Sequence, residues 1–287
     1  IHQKFPLLYR LLKIPAVISF WLYCRKLRVN NKDFFKSNGP LLIASNHPNS
    51  FLDAIILSSL FKQPVYSLAR GDAFKNKFFG KLLRSLNMFP VYRTSEGVEN
   101  MEHNYTTFDA CKEVFKKNGI VLIFCEGRCI NEWHLRPLKK GTARLAISSW
   151  QDGIHLNVLP TALNYQSFSS FGKNVDINFG NIITKNDIDL DNGFGKSVQS
   201  FNQKLQKELE PLVYEIGIND RVTLEKKMAV PVPALKKILL AIPAIAGFIL
   251  HKPLFYTIKK IIWSIYDHND HSDSIHVGMM FLIYPLY

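Results

Sequence analysis

His47 and Asp53 are the residues of this sequence whose types and spacing first suggest a reaction. An imidazole takes a proton near neutral pH, and a carboxylate on its other nitrogen fixes the tautomer and steadies the positive charge that forms. The two stand in Ser45-Asn46-His47-Pro48-Asn49-Ser50-Phe51-Leu52-Asp53, between the apolar runs Leu41-Leu42-Ile43-Ala44 and Ala54-Ile55-Ile56-Leu57. The first run reads as a buried strand and the second as a buried helix. Loops at the carboxyl ends of parallel strands gather over one edge of a sheet, where active-site groups collect. A structural reading stands beside the catalytic one. Ser50-Phe51-Leu52-Asp53 fits a Ser-x-x-acid helix cap, in which Asp53 only satisfies free amides at the helix start. Ser50 itself lacks the Gly-x-Ser-x-Gly setting of a hydrolytic nucleophile.

Positioning these groups requires a scaffold, and the pattern supplies one. Apolar runs predict strands at 41–45, 65–69, 88–92, 120–125 and 158–164, separated by helical patterns at 51–61, 74–86, 99–117 and 141–149. This alternation predicts an α/β fold, with a mostly parallel central sheet flanked by helices. A further strand is expected at 175–179 and a helix at 195–214. Asp187, Asp189 and Asp191 lack the glycine position and closing Glu of a calcium loop and read as a polar turn. The turns after the strands carry Arg70-Gly71-Asp72, Arg93-Thr94-Ser95, Glu126-Gly127-Arg128 and the stretch from Arg136 through Lys139 and Lys140 to Arg144. On a parallel sheet all of them face the edge that bears His47. Guanidinium and ammonium groups clustered beside a base fit an anionic substrate, most naturally a phosphate.

The chain has 287 residues, 47% hydrophobic, 13% aromatic, with a formal charge of +13, a balance that implies a polyanionic neighbour. Its basic residues sit beside apolar runs (Arg10, Lys13, Arg25, Lys26 and Arg28; Lys236 and Lys237; Lys259 and Lys260), which favours an anionic membrane surface. No helix-turn-helix, zinc-finger or RNP pattern is present, and no nucleic-acid partner is expected. Four irregularly placed cysteines suggest a reducing compartment. Cys125, Cys129 and His134 lack a second ligand pair at zinc spacing, so structural thiols and no metal are expected.

Three regions are expected: a membrane-interface helical segment over 1–35, an α/β domain over 36–228, and a membrane-associated helical region over 229–287. The apolar run 238–250 carries Pro243 and ends at His251-Lys252-Pro253, and 254–266 forms a second pattern, which together suit an interfacial or re-entrant helical pair. The run 277–287 reads as the opening half of a span, and Asp267 to Asp273 as a wet loop between membrane segments. The start at Ile1 and the apolar finish read as truncated ends.

Four blocks of this sequence resemble the glycerophospholipid acyltransferase superfamily, which includes glycerol-3-phosphate and lysophosphatidic acid acyltransferases. They are Asn46-His47 with Asp53; Phe89-Pro90-Val91-Tyr92-Arg93; Phe124-Cys125-Glu126-Gly127 with Leu138-Lys139-Lys140-Gly141; and Val158-Leu159-Pro160-Thr161, in the family's order over residues 40 to 165. This chain has five residues between His47 and Asp53 where the commonest form has four, and its Arg128 stands one place early. Because Pro48 and Asn49 precede the expected helix, a longer loop can absorb the extra residue and keep Asp53 facing His47. Arg70 occupies the place of a family lysine. The resemblance implies direct acyl transfer from an acyl thioester, acyl-CoA or acyl carrier protein, to a glycerol-phosphate acceptor, lysophosphatidic acid or glycerol-3-phosphate. It implies His47 as general base oriented by Asp53, and Arg70, Arg93, Arg128 and Lys139 around the acceptor's phosphate. Glu126 and Gly127 would shape the acceptor site, no cofactor would be needed, and the site would face the cytosol. Remodelling of lysophospholipids, or a non-catalytic basic membrane-binding role, are the alternatives.

Overall fold

A computed structural model describes residues 7–92, 103–191, 193–266 and 270–287 of the chain. The first elements are α1 (Leu7–Tyr23), β1 (Cys24–Val29), β2 (Leu41–Ser45), α2 (Ser50–Leu60), β3 (Val65–Arg70), α3 (Lys77–Ser85) and β4 (Met88–Val91). They are followed by α4 (His103–Lys116), β5 (Ile120–Phe124), α5 (Lys140–Gln151), β6 (Asn157–Tyr165) and β7 (Lys173–Phe179). The remainder is helical: α6 (Phe194–Leu209), α7 (Arg221–Met228), α8 (Ala234–Leu239), α9 (Ala241–Tyr266) and α10 (Ser272–Ile283).

The described strands form one seven-stranded sheet in the order β1-β7-β6-β2-β5-β3-β4. Every neighbouring pair is parallel except β6 and β7. This is the mostly parallel α/β fold that the alternation of runs predicts. Central β2 is buried throughout because both faces of the sheet are covered, which is why it reads as an unbroken apolar run. Leu42 and Ala44 pack with α4, α5 and α6 on one face, while Leu41 and Ile43 pack with α1 and α2 on the other. Pro90 is accommodated because β4 is an edge strand.

Strand β1 corrects the expected division at residue 35. Cys24–Val29 is not part of an interfacial helix; it pairs in parallel with β7 and is an edge of the sheet. Leu27 and Val29 pack on the core, and Arg28 forks onto Asp176 of β7 with two hydrogen bonds of 2.6 Å.

The C-terminal region also departs from expectation. The two apolar patterns are one continuous helix, α9, that runs through Pro253. Pro243 falls in its first turn, where a missing amide proton removes no helical bond. Ala241–Ile265 is long and apolar enough to cross a membrane by length and composition, and only 6% of its apolar window is buried. Helix α10, which carries the start of the run from 277, seats Met280 against Ile258 and Ile262 of α9 and packs Val277 on the core beneath α2.

Candidate active site

Parallel pairing brings the ends of β2, β3, β4, β5 and β6 to one edge of the sheet. The antiparallel β7 begins at that edge, and Lys173, its first residue, is paired with Cys24 of β1. A cleft of about 1520 Å³ opens there, lined by His47, Arg70, Phe124, Gly127, Arg128, Lys139, Lys140 and Arg144, with Leu68, Met88, Val91 and Phe108 supplying apolar wall.

His47 is held from every side. Before it, Asn46 continues the β2 pairing through its side chain, accepting from Leu163 N at 2.8 Å and donating to Leu163 O at 3.1 Å. The backbone N–H of His47 donates to Glu126 Oε2 at 2.9 Å, and its ring stacks on Phe124 with centroids 3.7 Å apart and planes 7° from parallel. Nδ1 lies 2.8 Å from Asp53 Oδ2.

Asp53 is wholly buried, and its carboxylate accepts two further bonds: Asn49 N–H on Oδ2 at 2.8 Å and the Tyr165 hydroxyl on Oδ1 at 2.7 Å. With donors on both oxygens, the carboxylate acts as acceptor toward the imidazole as well. The ring proton therefore sits on Nδ1, which leaves Nε2 as the basic nitrogen. One oxygen of Asp53, Oδ2, meets both the ring and the Asn49 amide at the helix start, while the Ser50 hydroxyl turns to His271 and closes no capping box.

The extra residue between His47 and Asp53 is taken up before the regular helix. Asn49 precedes α2 with φ −143° and ψ 47°, outside the helical region, and Ser50 adopts φ 48°, a left-handed backbone that a residue with a side chain enters at a cost. Cys129 Sγ accepts the Ser50 N–H at 2.9 Å, and His271 Nδ1 meets the Ser50 hydroxyl at 2.7 Å. Inserted in the loop rather than the helix, the residue leaves Asp53 aimed at His47.

The other residues named from the sequence divide. Arg70, Gly127, Arg128 and Lys139 line the cleft. Gly127 sits at φ 66° in the turn after β5, where a Cβ would stand 3.0 Å from Lys139 Cγ. Arg70 is engaged by Asp72 and Lys112 by Asp109 and Asp152, whereas Arg128, Lys139, Lys140 and Arg144 make no ion pair among the described residues. Arg93 lies outside the described residues.

Glu126 is placed differently from its expected role beside the acceptor. It is buried behind the cleft, and its oxygens accept the backbone amides of His47 and of Arg136, the latter at 3.0 Å. It is a bracket between the His47 turn and the loop ahead of α5. Burial pushes its carboxyl above the usual range, and the two amide bonds oppose this only in part.

Sequence reasoning missed Phe124, Tyr165 and the segment beginning at Asp270. Phe124 lay inside a quoted block but reads as strand core; Tyr165 ends an apolar run and carries no local signal. The expected wet loop is instead docked from Asp270 onward: Asp270 accepts Asn131 N–H at 2.9 Å, and Asp273, Ser274 and His276 are buried. Among the described residues no three His, Cys, Asp or Glu side chains converge as metal ligands, and Cys125 and Cys129 are buried thiols.

A model of the Acyltransferase family matches residues 26–164, which include His47, Asp53 and all four sequence blocks. Over those residues, just under half of the chain, it is similar to the Acyltransferase family. The 1-acyl-sn-glycerol-3-phosphate acyltransferase of Bacillus subtilis (strain 168) is 26% identical over 121 residues, 42% of this chain, and the match spans little more than half of that protein, 56%. The crystal structure of the 1-acyl-sn-glycerophosphate (LPA) acyltransferase PlsC from Thermotoga maritima shares the fold, with a TM-score of 0.52 at 12% identity over 78% of this chain and 81% of that one. Tyr165 and Asp273 lie beyond the segment that this acyltransferase family model matches.

Proposed function

We propose that the chain is an O-acyltransferase that moves a fatty acyl group from an acyl thioester, acyl-CoA or acyl carrier protein, to a hydroxyl of a glycerol-phosphate acceptor in phospholipid synthesis. Lysophosphatidic acid is the first acceptor to test and glycerol-3-phosphate the second, because the relative from Bacillus subtilis is named for a 1-acylglycerol-3-phosphate acceptor. The observation that carries the reading is the 2.8 Å contact of His47 Nδ1 with Asp53, set at the wall of a cleft rimmed by cations.

In this mechanism His47 Nε2 takes the proton of the acceptor hydroxyl as its oxygen attacks the thioester carbonyl. Asp53 stabilises the imidazolium through Nδ1, and Phe124 keeps the ring in plane. Collapse of the tetrahedral intermediate breaks the carbon–sulfur bond, and the departing thiolate receives the proton from His47. Arg70, Arg93, Arg128 and Lys139 hold the acceptor's phosphate, and orientation of this kind is worth several kcal/mol, about 7–11 at its upper range. The reaction needs no cofactor beyond the acyl donor.

The enzyme works at an anionic membrane surface, with its cleft on the cytosolic side. Exposed apolar side chains on α1, such as Ile14 (66%) and Trp21 (67%), on α3, such as Phe78 (72%), and along α9 support this placement. The deciding assay offers the purified chain lysophosphatidic acid, glycerol-3-phosphate and dihydroxyacetone phosphate in parallel with labelled acyl donors. His47→Ala is expected to lower turnover by about a thousandfold or more while vesicle binding persists. A His47→Ala protein with undiminished turnover, or a native protein inert with all acceptors, would overturn the reading.

A further inference from the structure

Helix α10 begins on the far side of the α/β domain in sequence, yet its first residues bond directly to the turn that carries the His47–Asp53 pair. Asp273 is the centre of this contact. Its Oδ2 accepts from Asn49 Nδ2 at 2.7 Å and from Lys173 Nζ at 2.5 Å, and its Oδ1 accepts from the Tyr23 hydroxyl at 2.5 Å. Lys173 and Asp273 side chains are 0% and 1% exposed, so neither charge has water to replace the other. Ser274 Oγ accepts the backbone N–H of Leu52 at 3.1 Å and donates to Asn49 O at 2.9 Å.

Asn49 shows what this contact is for. An Asn ahead of a helix ordinarily turns its side-chain oxygen onto an amide of the first turn. Asn49 makes no such bond, and its Oδ1 is buried without a hydrogen-bond partner. Its amide group is instead turned to Asp273, and the first-turn amide of Leu52 is shared between Ser274 Oγ and Asn49 O. The orientation of Asn49 is thus set by α10 and not by α2, even though an unpartnered buried oxygen is the result. Meanwhile the backbone N–H of Asn49 occupies Asp53 Oδ2, the oxygen that faces His47 Nδ1. Asp273 and Ser274 hold Asn49 by its side chain and its backbone carbonyl, and a shift of its backbone would carry away the donor that fixes this oxygen.

We propose that Asp273 is a positioning residue for the His47–Asp53 pair, acting through Asn49, so that the C-terminal helices complete a site whose reacting groups all lie in the α/β domain. This rests on the reading of His47 as the base. It assigns a role in turnover to a segment outside the matched acyltransferase region, at the strained Ser50 turn where the additional residue is accommodated.

The test must separate positioning from loss of the buried charge pair. In the full chain, Lys173→Met/Asp273→Asn removes both charges and keeps an oxygen for Asn49 Nδ2, whereas Lys173→Met/Asp273→Leu removes that acceptor as well. Asn49→Ala breaks the same bond from the other end without touching the ion pair. The Leu pair and Asn49→Ala are expected to lose about tenfold or more in kcat, with KM for both substrates within about twofold. The Asn pair is expected to recover most of this loss, and Asn49→Ala added to the Leu pair to cost little more, because both break one interaction.

Equal kcat for the Asn and Leu pairs overturns the proposal, as does a kcat that merely follows the melting temperature across the variants. If the paired variants fail to fold, Asn49→Ala decides alone: native kcat there overturns it. A His47→Ala protein that still turns over would instead sink the assignment of the base, whatever the Asp273 variants do.

Discussion

Tyr165, at the end of β6, donates its hydroxyl to Asp53 Oδ1 at 2.7 Å across 112 residues of sequence. Both side chains are fully buried, and burial beside the carboxylate pushes the phenol well above its usual range, so it remains a donor throughout the working pH. Asp53 is therefore held by a ring, an amide and a phenol, and cannot rotate away from His47 without breaking three bonds.

Tyr165→Phe removes one of those bonds at nearly constant volume. The expected outcome is a kcat reduced about tenfold and a stability lower by roughly 1–3 kcal/mol, because a buried carboxylate oxygen loses its donor. Steady-state kinetics and a denaturant melt on the same sample check both.

Glu126→Gln leaves one of two backbone amides, that of His47 or of Arg136, facing an NH2 group instead of an oxygen. A loss of about 1–3 kcal/mol is expected at acid pH. The sign with pH follows from the direction of the shift. Burial raises the folded-state value of Glu126, so between the unfolded value and that raised value the native state binds the proton more tightly. Native stability from this group is full below the unfolded value and falls as pH climbs through the raised one, and Gln has no such loss. The deficit of the variant should thus shrink as pH rises from the ordinary carboxyl value through the raised folded-state one, read as the difference in melting temperature.

Arg128 and Lys139 line the cleft on either side of Gly127. Replacing both with Ala should raise KM for the phosphate-bearing acceptor about tenfold or more while kcat changes little, the signature of lost uniform binding. Saturation curves for acceptor and donor, measured separately, tell which phosphate they serve.

Phe78 and Phe79 project from α3 at 72% and 56% exposure, with Lys77, Lys81 and Arg84 on the same helix, while Leu83 lines the cleft. Phe78→Ser with Phe79→Ser should weaken turnover of acceptor embedded in anionic vesicles several-fold, as expected for an interfacial helix that loses buried apolar area. Turnover of a short-chain acceptor dispersed in water should be unchanged. Loss on both substrates would place these rings in the fold and not at a lipid surface.

The sheet was legible because its strands are apolar on both faces. Leu41-Leu42-Ile43-Ala44 and Ile120-Val121-Leu122-Ile123 could be little else, and their parallel order followed from the helices between them. Cys24–Val29 escaped because an edge strand needs no continuous apolar run, and its charges find partners only in space, as Arg28 does on Asp176. The His47–Asp53 pair was local and therefore visible. Its supports were not: Glu126 is 79 residues from His47, and Asp273 is 224 from Asn49. No spacing rule connects such positions. Pro253 reads as a helix end, since a proline removes a hydrogen bond there, yet α9 continues through it.

The ammonium of Lys173 and the carboxylate of Asp273 impose a limit on how this protein can be shortened. Trimming the oily tail to improve expression would strip a sealed-in cation of its counter-ion. A stranded charge of this kind costs about 3–5 kcal/mol, a large part of the 5–15 kcal/mol that typically separates a folded domain from its unfolded chain. The piece that looks most dispensable on a hydropathy plot is expected to take a large part of the remainder's stability with it, unless Lys173 is replaced at the same time.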